Sequence, residues 1–309
     1  MIFSSLTEPK FPNAAIGIES DSMTAVALSG GRRSYSVKQA ATIPISPGVL
    51  VPSFTDINIV NRPAFADALR EVTESAGLLK QKRWSVTLPS STARTAILSL
   101  DSEPASKQEA DEVLDWKAEQ SFGTSAAELR LARQKIELDK DGRTRYFVTA
   151  VKLAVIDEYE TQFEDLGWSA GLILPRTVGE ANWLIDRKDD SDSLLISGTD
   201  DGFMALLLRG DEPAVVRSIT CGPTEIEDEI YRLVMFYNDR FAGTSGGALS
   251  RLLVIGDKLI PATVQTIASE ALGSDIRVLS ADDVGLNLLS TGLNFNDLAA
   301  PAGLASLGA

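Results

Sequence analysis

Two stretches of this chain, about 180 residues apart, follow one plan. Ala14 to Ile18 reads as a short buried strand, followed by a polar turn at Glu19 to Ser22. Met23 to Leu28 is a second strand, and after Ser29-Gly30-Gly31 an alternating third strand passes through Tyr35, Val37 and Ala40. The same order returns as strand Leu194 to Ser197, turn Gly198 to Gly202, strand Phe203 to Leu208, turn Gly210-Asp211 and strand Ala214 to Ile219. Each unit is a three-stranded meander joined by tight Gly/Asp turns, and each precedes an amphipathic helix. In the first helix Pro63 stands in the opening turn, Phe65, Leu69 and Val72 share a face, and Gly77 is placed to end it. In the second, Thr224 and Glu227 predict a capping box, with Ile226, Ile230, Leu233, Tyr237 and Phe241 at helical spacing. Further helices are expected from Val155 to Leu166, stopped by Gly167, and from Pro261 to Gly273.

Between the units the character changes. Ser106 and Glu109 predict a capping box opening a helix that offers Val113, Leu114 and Trp116 to an inner face. Two alternating strands follow, Leu129 to Leu138 and Arg145 to Val151, joined by the turn Asp139-Lys140-Asp141-Gly142. With the helix after them they read as a small α+β subdomain.

Composition removes several chemistries. The 309 residues include no His, which excludes Ser-His-Asp and Cys-His nucleophiles and His-ligated zinc. Cys221 stands alone, so no intramolecular disulfide or thiolate cage can form. A net charge of −14, with only the short basic runs Arg32-Arg33 and Lys80 to Arg83, argues against nucleic acid and anionic lipid as partners. No apolar run reaches the roughly 18 residues that span a bilayer, and Met1 to Pro12 has no secretory pattern. The expectation is a soluble cytoplasmic protein. Gly243 to Gly247 is glycine-rich but has no Lys, so it is read as a loop and not a P-loop. Ser245 has no imidazole to activate it, and Glu225, Glu227, Asp228 and Glu229 suit a helix start without catalysis. Trp84, Trp116, Trp168 and Trp183 form no stacking ladder and are expected mostly in the core.

A meander and helix used twice is the sequence pattern of the two lobes of an actin-like ATPase; two unrelated hairpins in another α/β protein would share it. Further residues narrow the choice. The opening Ile16-Gly17-Ile18-Glu19, the strand Trp84 to Pro89, the helix Asp115-Trp116-Lys117-Ala118-Glu119-Gln120 and the return strand Phe147 to Lys152 resemble the PilM family of type IV pilus assembly, related in fold to FtsA. Ala181-Asn182, Arg217 to Gly222, Leu252 to Gly256 and Gly303-Leu304-Ala305 continue the same order, so the resemblance covers nearly the whole chain. It implies an α/β fold of the actin-like, duplicated ribonuclease H-like type. The first lobe would be 1–93 and 172–190, an inserted α+β subdomain 94–171, and the second lobe with a C-terminal helix 191–309.

An intact actin-like site holds Mg-ATP between two hairpins, with backbone amides at the phosphates and carboxylates organising the metal. The resemblance puts Gly17, Glu19, Ser20 and Ser22 on the first hairpin, and Gly198, Thr199 and Asp200 on the second, with Gly222 and Gly256 toward the adenosine. The sequence departs from the family at each part. The first turn is short by about two residues and lacks its second Gly. Glu19 replaces Asp, Thr24 stands where a Lys is common, and Ile196 where Asp is expected. Gly256 is followed by Asp257, and Cys221-Gly222 replaces a Gly pair. The missing ammonium leaves carboxylates that repel a triphosphate unless a metal ion intervenes. The reading is a degenerate site, without catalytic or metal-ligating residues and with no cofactor assigned.

The resemblance therefore implies a scaffold at the cytoplasmic face of the inner membrane. Its partner would be the N-terminal tail of a PilN-like single-pass protein, lying in a groove walled by parts of Val86 to Leu100 and Leu129 to Val151. Other pilus platform or motor components and a second copy of the chain are further possible partners. An active actin-like ATPase, or the cytoplasmic module of a type II secretion system, would share much of this pattern; the transmembrane helix of the latter does not occur within this sequence.

Overall fold

The structure, a computed structural model, describes residues 11–31, 34–139, 141–185, 191–241, 248–288 and 292–309. Arg32-Arg33, Lys140, the Gly243 to Gly247 loop and the first ten residues, on which several expectations fall, lie outside the described residues.

The first meander forms β1 (Ala14–Ile18), β2 (Ser22–Gly31) and β3 (Ser34–Pro44). Helix α1 (Arg62–Ser75) begins with Pro63 in its first turn and Asn61 accepting from the Ala64 N–H. At its end Gly77 takes φ +71°, which lets the Leu78 N–H reach the Thr73 carbonyl. Phe65, Leu69 and Val72 are fully buried, as their spacing predicts. Strand β4 (Arg83–Leu88) then lies parallel beside β1.

The chain leaves this sheet for β5 (Arg94–Ser99), α2 (Lys107–Phe122), β6 (Leu129–Ile136) and β7 (Arg145–Lys152), whose strands make a separate antiparallel sheet of order β5-β7-β6. The Ser106 hydroxyl caps Glu109 N–H as expected, while the Glu109 carboxylate reaches back to Ala105 N–H. In the β6–β7 turn the Asp139 carboxylate accepts from Asp141 and Arg143, and Gly142 sits at φ +77°. Helix α3 (Leu153–Asp165) and β8 (Ser169–Pro175) return to the first sheet, β8 pairing parallel with β4. The expected insert of 94–171 therefore shortens to end near Lys152, because Val155, Tyr159, Phe163 and Trp168 pack with Phe65, Leu69 and Trp84 in the first lobe.

After α4 (Arg176–Ile185) the plan repeats as β9 (Asp192–Thr199), β10 (Gly202–Arg209), β11 (Glu212–Thr220), α5 (Ile226–Phe241), β12 (Leu249–Ile255), α6 (Pro261–Leu272) and β13 (Arg277–Val278). The expected Thr224–Glu227 box is replaced: the carboxylate of Glu225, at the residue before α5, accepts from the Gly222 N–H. The sheets have the orders β3-β2-β1-β4-β8 and β11-β10-β9-β12-β13, with the same parallel and antiparallel senses. That duplicated order is the actin-like, ribonuclease H-like architecture. The end of the chain does not stay with the second lobe. β14 (Leu286–Asn287) pairs with β3, and α7 (Phe295–Ala305) packs with α4 between the sheets.

Apolar side chains from both sheets, including Val26 and Leu28 from one and Leu206 and Ile255 from the other, meet α4 and α7 in one shared core. The two helices approach so closely that a Cβ on Gly303 would lie 1.9 Å from the Gly179 carbonyl oxygen. Trp84, Trp168 and Trp183 are buried, but Trp116 is 56% exposed. The inner face of α2 takes Leu114, as expected, together with Ala118, and Trp116 is turned outward.

Candidate functional site

The β1–β2 and β9–β10 turns face one another across a cleft of about 200 Å³. Ser20 on the first turn donates to the Asp200 carboxylate on the second at 3.4 Å. Gly17, Glu19, Ser20, Ser22, Gly198, Thr199, Asp200 and Gly256 all line this cleft. Gly222 does not; the Cys221 N–H bonds the Asp201 carbonyl behind the turn, and Glu225 holds Gly222 away.

The glycines of the cleft have packing partners of their own. A Cβ on Gly17 would meet the Pro301 ring at 3.0 Å and Thr87 at 3.3 Å, so α7 occupies the space over the first strand. Gly256 takes φ +131°, and its Cβ would meet Gly198 backbone at 3.1 Å. Both backbones are committed to protein contacts. Thr24, at the position where a Lys was expected, is buried and shares a 2.9 Å hydrogen bond with Thr42.

The cleft contains two cations that the sequence reading missed. Arg176, at the start of α4, places its guanidinium 3.2 Å from Glu19 and 2.6 Å from Glu180, the latter fully buried. Lys258 donates to the Asp200 carbonyl at 2.9 Å. The absence of an ammonium at position 24 therefore does not leave the site without positive charge, and that expectation is corrected. The i, i+4 spacing of Arg176 and Glu180 was a readable signal, whereas the meeting with Glu19 was not. Burial works against the Arg176 charge, but Glu180 and Glu19 outweigh it and raise its pKa. Burial likewise pushes the Glu19 carboxyl up to about 7 against the pull of Arg176, with Glu180 and Asp200 adding to the rise. Asp297 is raised by burial and by Asp257. Asp21, Asp200, Asp257 and Asp297 thus face a cleft in which Arg176 is already neutralised. Among the described residues no group of three or more acidic or cysteine side chains is arranged to hold a metal ion.

A second region lies where the first lobe meets the sheet of β5, β7 and β6. The loop 49–61 is pinned by Asn58, whose Oδ1 accepts from Ser53 N–H, Thr92 and Tyr159 at 2.8–3.1 Å. Its Nδ2 donates to the Ser53 and Asp56 carbonyls, and buried Glu158 accepts from the Asn58 and Ile59 N–H groups. Held this way, the loop buries Phe54 against Leu129 and Ala150 and leaves Val51, Ile57 and Val60 exposed. Arg94, at the start of β5, stacks 5.3 Å over Phe54. Strand β6 is an unpaired edge of its sheet.

No protein-family model matches this chain, and no curated protein matches it. Solved structures do. A chain of a PilM-PilN type IV pilus biogenesis complex superposes with a TM-score of 0.74 over 97% of this chain and 98% of that one, at 15% identity. The two share one fold. At that identity the likeness is of fold, and it is the likeness the PilM-type residues predicted. The cytoplasmic domain of EpsL, an inner-membrane component of the type II secretion system of Vibrio cholerae, is more distant, with a TM-score of 0.44 and 10% identity over 85% of this chain and 96% of its own. A Bacteroides thetaiotaomicron protein with an actin-like ATPase fold also scores 0.44, at 10% identity over 97% of this chain and 98% of its own. No helix among the described residues is long and apolar enough to cross a membrane.

Proposed function

We propose that this chain is an actin-like scaffold of a type IV pilus, or related secretion, assembly platform at the inner membrane. It holds the N-terminal cytoplasmic tail of a PilN-like single-pass protein and does not depend on bound nucleotide. The observation that carries the reading is the fold match to a chain of the PilM-PilN complex across essentially the whole of both chains. The cleft supports the second half of it. Its volume of about 200 Å³ is below the roughly 300–1,000 Å³ of ligand pockets. Its Arg176 is neutralised from within, and Pro301 covers Gly17.

The tail lies in the groove between the first lobe (β1 to β4 with α1, α3, β8 and α4) and the sheet of β5, β7 and β6. Exposed Val51, Ile57 and Val60 supply apolar contacts, and an extended segment beside a sheet gains main-chain hydrogen bonds. Recruitment by a protein tail suits a chain of net charge −14, which anionic lipid repels.

The test is binding of a labelled peptide copying the cytoplasmic tail of the single-pass protein encoded beside this chain. Binding is expected to be saturable and to weaken about tenfold in Ile57→Asp, a change at a site 66% exposed that leaves folding intact. A folded chain that binds no such tail overturns the adaptor reading.

A further inference from the structure

The outer face of the second lobe carries a cluster that neither the cleft nor the groove uses. Arg217 on β11 lays its guanidinium 4.1 Å over the ring of Phe236 on α5, and Arg240, one turn further along α5, lies 6.0 Å from the same ring. Phe236 meets Phe241 edge to face at 6.4 Å, and Arg209 stacks 5.3 Å over Phe241. Arg209 is paired with Asp192 at 3.4 Å. Arg217 and Arg240 are both exposed, and neither has a carboxylate within salt-bridge distance among the described residues; Asp239, next to Arg240, pairs with neither. Elsewhere on this acidic chain exposed arginines such as Arg70, Arg130, Arg232 and Arg277 have found carboxylates.

Two features make this face more than a pair of surface charges. Stacking on Phe236 restricts both guanidiniums, so less side-chain freedom is lost when they bind a carboxylate. The strand beneath them is the last of its sheet: among the described residues β11 pairs with β10 and with no other strand.

We propose that this face docks an acidic, extended segment of a partner protein, laid beside β11 with its carboxylates on Arg217 and Arg240. Charge complementarity selects the chemistry, since bidentate guanidinium–carboxylate pairs are the contacts this surface is prepared to make. The same charge argument selects a narrow occupant. A membrane or a second copy brings a broad negative surface against a chain of net charge −14. A single segment stays within about 8 Å of the patch, where screening hides the rest of the protein.

The probe is a fluorescent eight-residue peptide alternating Glu and Val, followed by anisotropy on the full chain at low and moderate salt, with a Gln/Val peptide as control. The Glu peptide is expected to bind in a salt-sensitive way and the Gln peptide not to bind. Arg217→Gln combined with Arg240→Gln should weaken binding about tenfold. Phe236→Leu, which keeps both charges, should weaken it several-fold, and Arg62→Gln combined with Arg70→Gln should leave it unchanged. Unchanged melting temperatures establish that the variants fold. Absence of Glu-peptide binding, or equal binding by the Arg217/Arg240 double variant, overturns the proposal. Binding of phosphatidylserine vesicles lost in that double variant reassigns the face to lipid, and self-association lost in it reassigns the face to a second copy; either result overturns the proposal. None of these outcomes depends on the PilN-like tail.

Discussion

Arg176 stands 3.2 Å from Glu19 across the floor of the cleft, tying the end of β1 to the start of α4. The same guanidinium holds the buried Glu180, so one half-buried cation serves two carboxylates. A guanidinium held this way offers little of its charge to a phosphate, and the arrangement sets the behaviour expected of several variants.

Arg176→Met leaves Glu180 buried without its counter-ion. The expected loss is about 3–5 kcal/mol of unfolding free energy, measured by urea titration. Adding Glu180→Gln should recover part of it, because the orphaned charge is then gone. A loss below about 1 kcal/mol in the single variant would show that the pair is only a surface contact.

Glu19 makes stability depend on pH. Burial raises its carboxyl to about 7, so the folded chain binds this proton more tightly than the unfolded chain does. The contribution is therefore complete below the ordinary Glu range and is lost as pH rises through about 7. Unfolding free energy measured between about pH 5 and pH 8 should fall with a component that Glu19→Gln removes, on the order of 2 kcal/mol. Parallel pH profiles for the two proteins would contradict this.

Gly303→Ala places a methyl group on the Gly179 carbonyl oxygen, where backbone meets backbone and no rotamer can relieve it. The expected cost exceeds about 4 kcal/mol or prevents folding altogether. Gly48→Ala is the comparison: its φ is +80° but nothing lies near its Cβ, so it should cost only about 1 kcal/mol. Equal effects in circular dichroism melts would mean that crowding between α4 and α7 is not what the glycine serves.

Millimolar Mg-ATP should leave the melting temperature within about 1 °C of the free protein. A ligand at 100 times its Kd adds about 2.7 kcal/mol, which for a chain of this size is several degrees. A shift of that size would overturn the nucleotide-independent reading.

The helix ends and turns were legible because their signals are local. Gly77, Gly167 and Gly273 each take the left-handed conformation that ends a helix, and Asp139 and Gly142 build the predicted hairpin turn. The capping box expected at Thr224 does not form because α5 starts at Ile226, one residue later than a cap at Thr224 requires, and the Glu225 carboxylate accepts from Gly222 N–H. Trp116 was assigned inward from its neighbours in sequence, yet α2 buries Leu114 and Ala118, and only the third sheet's position decides which stripe that is.

The sequence alone determined the duplicated meander, the helices that follow it and the two hairpins that face each other, since strand alternation, helical spacing and turn chemistry act within a few residues. It also brought eight of the nine predicted cleft residues to one place, because both hairpins fall at the same position in their repeats. Only the tertiary structure decided what that cleft contains. Glu19, Arg176, Lys258 and Pro301 are far apart along the chain, and no local rule says that one guanidinium will be shared between two carboxylates or that α7 will cover Gly17. Burial and charge at a site are sums over neighbours from every element, and those sums exist only once the lobes have packed.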